Sequence, residues 1–345
     1  MNHRNLGMTG LRVSDLCLGA MNFGQPDFGV DAEQSQAVID RYLEAGGNFI
    51  DTADTYGGGA SETILGQALK GKRDQIILAS KAFFPVVQSF GQPPAHINAQ
   101  GATRRHLIQA MEDSLTRLKT DYLDLYQVHL WDLATPLEET LGALNDLVHQ
   151  GKTRYVGLSN YSAWQIAEAR QLCKQHGWEP FVTAQMQYSL ICRHIEHDVI
   201  KVTQRYGMGI LAWSPLGMGV LTGKYARGTN RLDGARFRTQ AESESDIAWR
   251  AQFFNDRAFD IVEGLKQVAS QLDTTPSALA IHWVMQRPGV SSVIIGPKNT
   301  DQLADNLSAC TLEPTGEHIC QLDRISDAPP RYPESMVFRS SRLND

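Results

Sequence analysis

Gly47-Asn48-Phe49-Ile50-Asp51-Thr52-Ala53-Asp54-Thr55-Tyr56-Gly57 decides how this chain is read. A short apolar strand closes on Asp51 and hands over to a polar loop that carries Tyr56 five positions later. The device recurs twice: Gln75-Ile76-Ile77-Leu78-Ala79-Ser80-Lys81 closes on Lys81, and Asp124-Leu125-Tyr126-Gln127-Val128 is followed by His129. Strand ends that feed loops are where α/β barrels collect their chemistry. A carboxylate, a phenol, an amine and an imidazole are therefore predicted to converge at one barrel mouth.

Working outward, the same rhythm fills the chain. After a short opening that reads as a hairpin, apolar runs at Leu16–Gly19, Tyr155–Ser159, Phe181–Gln185, Ile210–Trp213 and Ser291–Ile295 join the three above, giving eight strands. Helical periodicity separates them: Glu33–Ala45, Ser61–Leu69, Thr103–Leu118, Pro136–His149, Ala163–Gln175, His194–Tyr206, Ala258–Leu272, Ser277–Gln286 and a closing helix Thr300–Ser308. Eight strand–helix units with right-handed crossovers close a parallel sheet into a (β/α)8 TIM barrel; an open doubly wound sheet is the alternative. Thr135-Pro136 and Thr275-Pro276 each pair a capping hydroxyl with a first-turn proline, and Gly46-Gly47 stops the first long helix. The expectation is a single domain over 1–345 with rim loops at 84–102 and 224–256 and an irregular tail at 328–345. A disordered end is the plain reading of that tail, and its apolar and aromatic residues, Tyr332, Met336, Val337 and Phe338, are the ground for the alternative that it folds back over the pocket.

Composition narrows the function. With 345 residues, 42% hydrophobic and 20% charged, the chain is long enough to bury a sizeable core. A net charge of −6 with dispersed Lys and Arg lacks the electrostatic footprint of a nucleic-acid binder, so no nucleic-acid partner is expected. No apolar run approaches a membrane span and the start lacks a secretory pattern, so the expectation is a cytoplasmic protein without a membrane partner. The five cysteines, at 17, 173, 192, 310 and 320, are scattered and odd in number, reading as small apolar residues.

The converging groups suit carbonyl reduction, which needs an acid to protonate oxygen as charge develops there and a hydride donor at the carbonyl carbon. Tyr56 can be that acid. A free phenol ionises near ~10, so a cation beside it must favour phenolate character, and Lys81 supplies one. Asp51 would keep Lys81 charged in a buried place, and His129 would orient the carbonyl oxygen. A barrel salt bridge flanked by ordinary rim residues is the plain structural account of the same four.

Together these motifs resemble the aldo-keto reductase family, in its bacterial branch similar to potassium-channel β-subunits. Gly47 to Gly57, followed by Ser61-Glu62 and Leu65-Gly66, looks like the family's first signature, and Leu123 to His129 like its histidine strand. The resemblance runs from Leu6-Gly7 to about Asn306 and implies a nicotinamide site without a Rossmann domain. It implies that Ser159, Asn160 and Gln185 hold the carboxamide and that Trp213 stacks on the ring. Ser214, Leu216, Gly217 and Lys224 then resemble the pyrophosphate loop. Read alone, that loop fails as a phosphate-binding motif, because five residues separate Gly217 from Gly223 and Tyr225 stands where Ser or Thr is required. Gly296, Lys298, Asn299, Gln302 and Asn306 resemble the adenosine-binding segment. Lys298 facing a 2′-phosphate favours NADPH, with NADH as the other candidate.

Asn22, Phe23, Phe83, Phe84 and Trp131 follow strand ends and are expected to line an apolar pocket for a small carbonyl or alcohol, with core packing as the competing account. His194, Glu196 and His197 have metal-like spacing but no third ligand, and read as a solvated helix start rather than a metal site. Two further functions stay open: a cofactor-sensing partner protein with little turnover, and a lyase or aldolase using Lys81 as a Schiff base.

Overall fold

The computed structural model describes residues 1–25, 28–87, 92–227 and 251–327, together with Tyr332 and Met336. An antiparallel hairpin, β1 (His3–Asn5) and β2 (Arg12–Ser14), leads into eight parallel strands: β3 (Leu16–Gly19), β4 (Phe49–Asp51), β5 (Ile77–Ala82), β6 (Leu123–Val128), β7 (Thr153–Ser159), β8 (Thr183–Gln187), β9 (Gly209–Trp213) and β10 (Val290–Ile295). They close in chain order, with β10 pairing both β9 and β3. The expected (β/α)8 barrel is the observed architecture.

Helices α1 (Ala32–Glu44), α2 (Ala60–Ala68), α3 (Arg104–Leu118), α4 (Leu137–His149), α5 (Ala163–His176) and α6 (Val199–Tyr206) alternate with the strands. After β9 come α7 (Asp256–Gln271) and α8 (Pro276–Met285), and after β10 come α9 (Thr300–Ser308) and α10 (Gly316–Ser326). Side-chain caps start several of them. Asp31 accepts from the Gln34 N–H, Thr103 from His106, and Thr275 from Ala278 with Pro276 beginning the helix as expected. Gly46, at φ 84°, ends α1.

Three expectations need correction. Thr135 does not cap α4, because its hydroxyl donates to Asp132 Oδ2 at 2.7 Å and the helix begins one residue past Pro136. The run His194–Tyr206 is not one helix: a 3-10 turn at His194–Glu196 is broken before α6. Helix α10 went unpredicted, although Thr315 and His318 form a reciprocal cap ahead of apolar residues at Ile319, Leu322 and Ile325. Of the expected rim loops, 88–91 and 228–250 lie outside the described residues, as does the tail 328–345 apart from Tyr332 and Met336. No helix among the described residues is long and apolar enough to cross a membrane.

Strand alternation sorts side chains into two populations. Cys17, Phe49, Ala79, Leu125 and Leu211 point into the barrel, where Leu6 and Val13 of the hairpin segment join them in one buried cluster. The other set packs outward against the helices in the main core. One layer further along the strands, the inward positions turn polar. This layer is where the candidate site begins.

Tyr42 of α1 fastens the opposite end. Its buried hydroxyl lies 2.8 Å from the carbonyls of both Leu16 and Phe49 and accepts from the Phe49 N–H at 3.2 Å, joining β3 to β4. Gly47 makes room for the ring, since a Cβ there would come within 2.2 Å of it. Tyr42→Phe should lower the unfolding free energy by about 1–3 kcal/mol in denaturant titration, because buried carbonyls lose a donor. Unchanged stability would mean that the hydroxyl contributes nothing.

Candidate active site

Register builds the polar layer. Lys81 on β5 stands beside Gln127 on β6, Gln127 beside Gly157 on β7, and Gly157 beside Thr183 on β8. Asp51, at the end of β4, stands beside Gly19 and Ala79, while Ser159 pairs with Gln185. Each of these positions is two residues beyond an inward neighbour, so alternation alone aims Asp51, Lys81, Gln127 and Gln185 at the barrel axis.

The Lys81 ammonium is wholly buried and has three acceptors for its three hydrogens: Asp51 Oδ2 at 2.6 Å, the Thr52 carbonyl at 2.7 Å and the Tyr56 hydroxyl at 3.3 Å. Burial is the largest single influence on its pKa and acts downward. The Asp51 carboxylate and the Tyr56 oxygen together outweigh it, leaving the amine above its ordinary value and charged. Asp51 is in turn enclosed: its other oxygen accepts from Gln127 Nε2 at 3.0 Å and Gln185 Nε2 at 2.9 Å. Four of the groups predicted to meet, Asp51, Tyr56, Lys81 and His129, do meet.

His129 follows β6, with its ring 5.8 Å from that of Tyr56 and 5.1 Å from that of Phe84, edge to face in both pairs. Burial, and then the nearby Lys81 charge, hold its pKa well below the usual imidazole value. The ring is neutral at pH 7 and has one N–H and one lone pair to offer. Its Nδ1 is buried without a hydrogen-bond partner among the described residues. Asp54, in the same opening motif, has its pKa raised well above the usual carboxyl range by burial and then by Glu62. Glu62 itself is tied to Arg117 at 2.7 Å and fixes α2 against α3.

A cavity of about 950 Å³ opens above this layer. Asp51, Tyr56, His129, Ser159, Asn160, Gln185 and Trp213 contribute to its wall, as do Ser214, Leu216 and Lys224 after β9 and Gly296, Lys298, Gln302 and Asn306 after β10. Asn160, held at φ 59°, uses both amide hydrogens and one of its two acceptor positions. It donates to Ser159 Oγ at 3.0 Å and to the His129 carbonyl at 3.2 Å, and it accepts from the Trp213 indole N–H at 3.1 Å. It therefore braces Trp213 and the His129 strand.

Other expected residues are near the cavity but not on its wall. Lys81 lies behind Asp51 and Tyr56. Gly217 is buried in the turn after Leu216, and Asn299 uses its side chain to cap α9 by accepting from the Gln302 N–H at 2.9 Å. Of the residues expected to form the substrate pocket, only Phe84 lines the cavity. Asn22 donates to the Gly296 carbonyl at 2.7 Å and Phe23 is buried in the main core. Phe83 and Trp131 pack against that core, Trp131 edge-on to Tyr161 at 5.1 Å. For Phe23, Phe83 and Trp131 core packing accounts for the position, and for Asn22 the hydrogen bond to Gly296 does. The wall also includes Met21, Phe28, Val87, Met218 and Tyr225, which are not among the expected pocket residues. Gln127 was missed as well, although its spacing of two from Leu125 and from His129 signals an inward side chain. Glu196 is engaged by Arg193 at 2.8 Å and by Tyr188 at 2.7 Å.

A model of the aldo/keto reductase family matches residues 15–327. The chain is 35% identical to a probable voltage-gated potassium channel subunit beta from Oryza sativa subsp. japonica, over 97% of this chain and 99% of that one. It is 32% identical to norsolorinic acid reductase from Aspergillus flavus, over 98% of this chain and 84% of that one. It is also 32% identical to an uncharacterized oxidoreductase from Bacillus subtilis, over 95% and 97%.

The depressed His129 pKa carries a stability consequence. Below about pH 6.5 an unfolded imidazole binds a proton that the folded ring refuses, so folding weakens as pH falls through that value. In His129→Gln, the loss of unfolding free energy between pH 6.5 and 5 should be shallower by up to about 1.4 kcal/mol per pH unit. An unaltered slope would mean that the ring takes up its proton in the folded protein.

Proposed function

The chain belongs to the aldo/keto reductase family, and from that premise we propose that it reduces an aldehyde or ketone to an alcohol, reversibly, with NADPH as the favoured cofactor and Tyr56 as proton donor. One observation carries the reading: a fully buried ammonium whose third hydrogen bond goes to a phenol on the wall of a large cavity. A salt bridge with no catalytic duty has no need to spend a donor on an oxygen that faces a cavity.

Tyr56 would give its proton to the carbonyl oxygen as negative charge builds there. Lys81, 3.3 Å away, stabilises the negative charge left on the phenol oxygen, and Asp51 keeps Lys81 charged and immobile. The neutral His129 ring is suited to orient the carbonyl oxygen by hydrogen bonding without competing as a strong acid. A bound reduced nicotinamide supplies the hydride. The cavity suits such a group, because Gln185 presents an amide oxygen that no donor among the described residues occupies, and the Trp213 indole lines the same cavity. Ser159 and Gln185 would hold the carboxamide, with Asn160 bracing the site. Ser214, Leu216 and Lys224 would meet the pyrophosphate. Lys298, with Gln302 and Asn306, would meet the adenosine side, where its charge favours a 2′-phosphate over the unphosphorylated ribose of NADH.

Met21, Phe28, Phe84 and Val87 give the wall an apolar stretch, so the favoured substrate is an uncharged carbonyl compound. Schiff-base chemistry at Lys81 is disfavoured by the geometry, since a nucleophilic amine must be neutral and reachable. Lys81 is charged, enclosed and saturated with acceptors. Similarity to proteins named as channel subunits favours, as a second reading, a cofactor-sensing partner with little turnover. Tight NADPH binding without turnover across a broad carbonyl panel would select that alternative.

Two outcomes test the main reading. Tyr56→Phe should cut kcat about 10²–10⁴-fold while NADPH affinity stays within about twofold; turnover close to the parent value would remove Tyr56 as the acid. Lys298→Ala should weaken NADPH at least about tenfold and leave NADH nearly unchanged. Equal loss for both cofactors would detach Lys298 from the 2′-phosphate.

A further inference from the structure

Gln127 takes no part in the scheme above, yet it is fully buried between two groups that do. Its Nε2 donates to Asp51 Oδ1 at 3.0 Å, and its Oε1 accepts from Gln185 Nε2 at 3.3 Å. Gln185 Nε2 donates a second time, to Asp51 Oδ1 at 2.9 Å. Three side chains from β4, β6 and β8 thus close a triangle of hydrogen bonds beneath the cavity.

The triangle has a sense of direction. Asp51 is ion-paired to Lys81 at 2.6 Å, and a carboxylate only accepts. Gln127 must therefore turn its NH2 toward Asp51, which leaves its carbonyl oxygen facing Gln185. Gln185 in turn must present its NH2 to both, because reversing its amide would set its oxygen against the oxygens of Asp51 and Gln127. What remains for the cavity is the Gln185 carbonyl oxygen, an acceptor with a single allowed orientation. Room for the Gln127 stem comes from Gly157, where an added Cβ would lie 3.0 Å from Gln127 Cγ and 2.2 Å from Thr183 Oγ1.

We infer that Gln127 is a positioning residue that locks the Gln185 amide with its oxygen toward the cavity, and so fixes the recognition of a carboxamide NH2 there. The inference rests on the reading that this cavity takes a nicotinamide cofactor. With leucine or methionine at position 127, Gln185 would keep only its bond to Asp51 and Asp51 would lose a donor.

Two ligands separate this role from general support of the fold: NADPH, and 2′-phospho-ADP-ribose, which lacks the nicotinamide. Binding of each is measured by calorimetry to the full-length protein and to Gln127→Met, which conserves volume. NADPH should weaken about tenfold, with 2′-phospho-ADP-ribose held within twofold. In a Gln185→Met background the Gln127→Met change should then have no further effect on NADPH. Gln127→Asn, which keeps an uncharged amide on a stem too short to reach both Asp51 and Gln185, serves if the Met variant does not fold; it should weaken NADPH while holding 2′-phospho-ADP-ribose within twofold. Equal weakening of both ligands in either variant, or unchanged NADPH affinity in Gln127→Met, would overturn the inference while leaving the reductase reading intact. Failure of the parent protein to bind NADPH at all would strike the reductase reading instead.

Discussion

A positive charge in the middle of a closed barrel constrains everything around it. Lys81 has no contact with solvent, and an unpaired ammonium in such a place costs several kcal/mol or gives up its proton. The chain answers with three acceptors from the segment 51–56, one of which is the Tyr56 hydroxyl. The price of the buried charge is thereby tied to the position of a phenol. Asp51 is ion-paired to Lys81 and offers only acceptors to its other neighbours, and the polarity of the amides of Gln127 and Gln185 follows from that. One ionisation state orders donors and acceptors across β4, β5, β6 and β8.

The barrel makes such an arrangement possible because its two ends do different work. At the hairpin end, apolar residues fill the interior and Tyr42 clamps β3 to β4, giving rigidity. At the other end, the inward residues of β4, β5, β6 and β8 are Asp51, Lys81, Gln127 and Gln185, and the loops beyond the strands wall the cavity. Rigidity below sets the positions of the side chains above to within the tolerance that proton transfer requires. Asn160 extends the same logic to the far wall, joining Trp213, Ser159 and the His129 backbone through a single side chain.

Much of this was legible in the sequence. Strand ends carrying Asp51, Lys81 and His129 are local signals, and strand alternation converts them into a shared direction, so the convergence needed no long-range information. The substrate-facing residues were not legible in that way. Asn22, Phe23, Phe83 and Trp131 follow strands as Phe84 does, but whether an aromatic residue after a strand faces a cavity or a helix depends on how the loops pack. The Thr135 hydroxyl was misjudged for a related reason: Asp132, three residues away, accepts it first. Gln127 was legible and went unread, because a glutamine inside an apolar strand attracts less notice than an ionisable group at its end.

The central claim is that Lys81 acts through Tyr56 rather than beside it. A double-mutant cycle on kcat for carbonyl reduction, using Tyr56→Phe, Lys81→Met and the doubly substituted protein, tests this directly. The account predicts that the double variant is no slower than the slower single variant, within about threefold. Losses that multiply would show two independent contributions and contradict it.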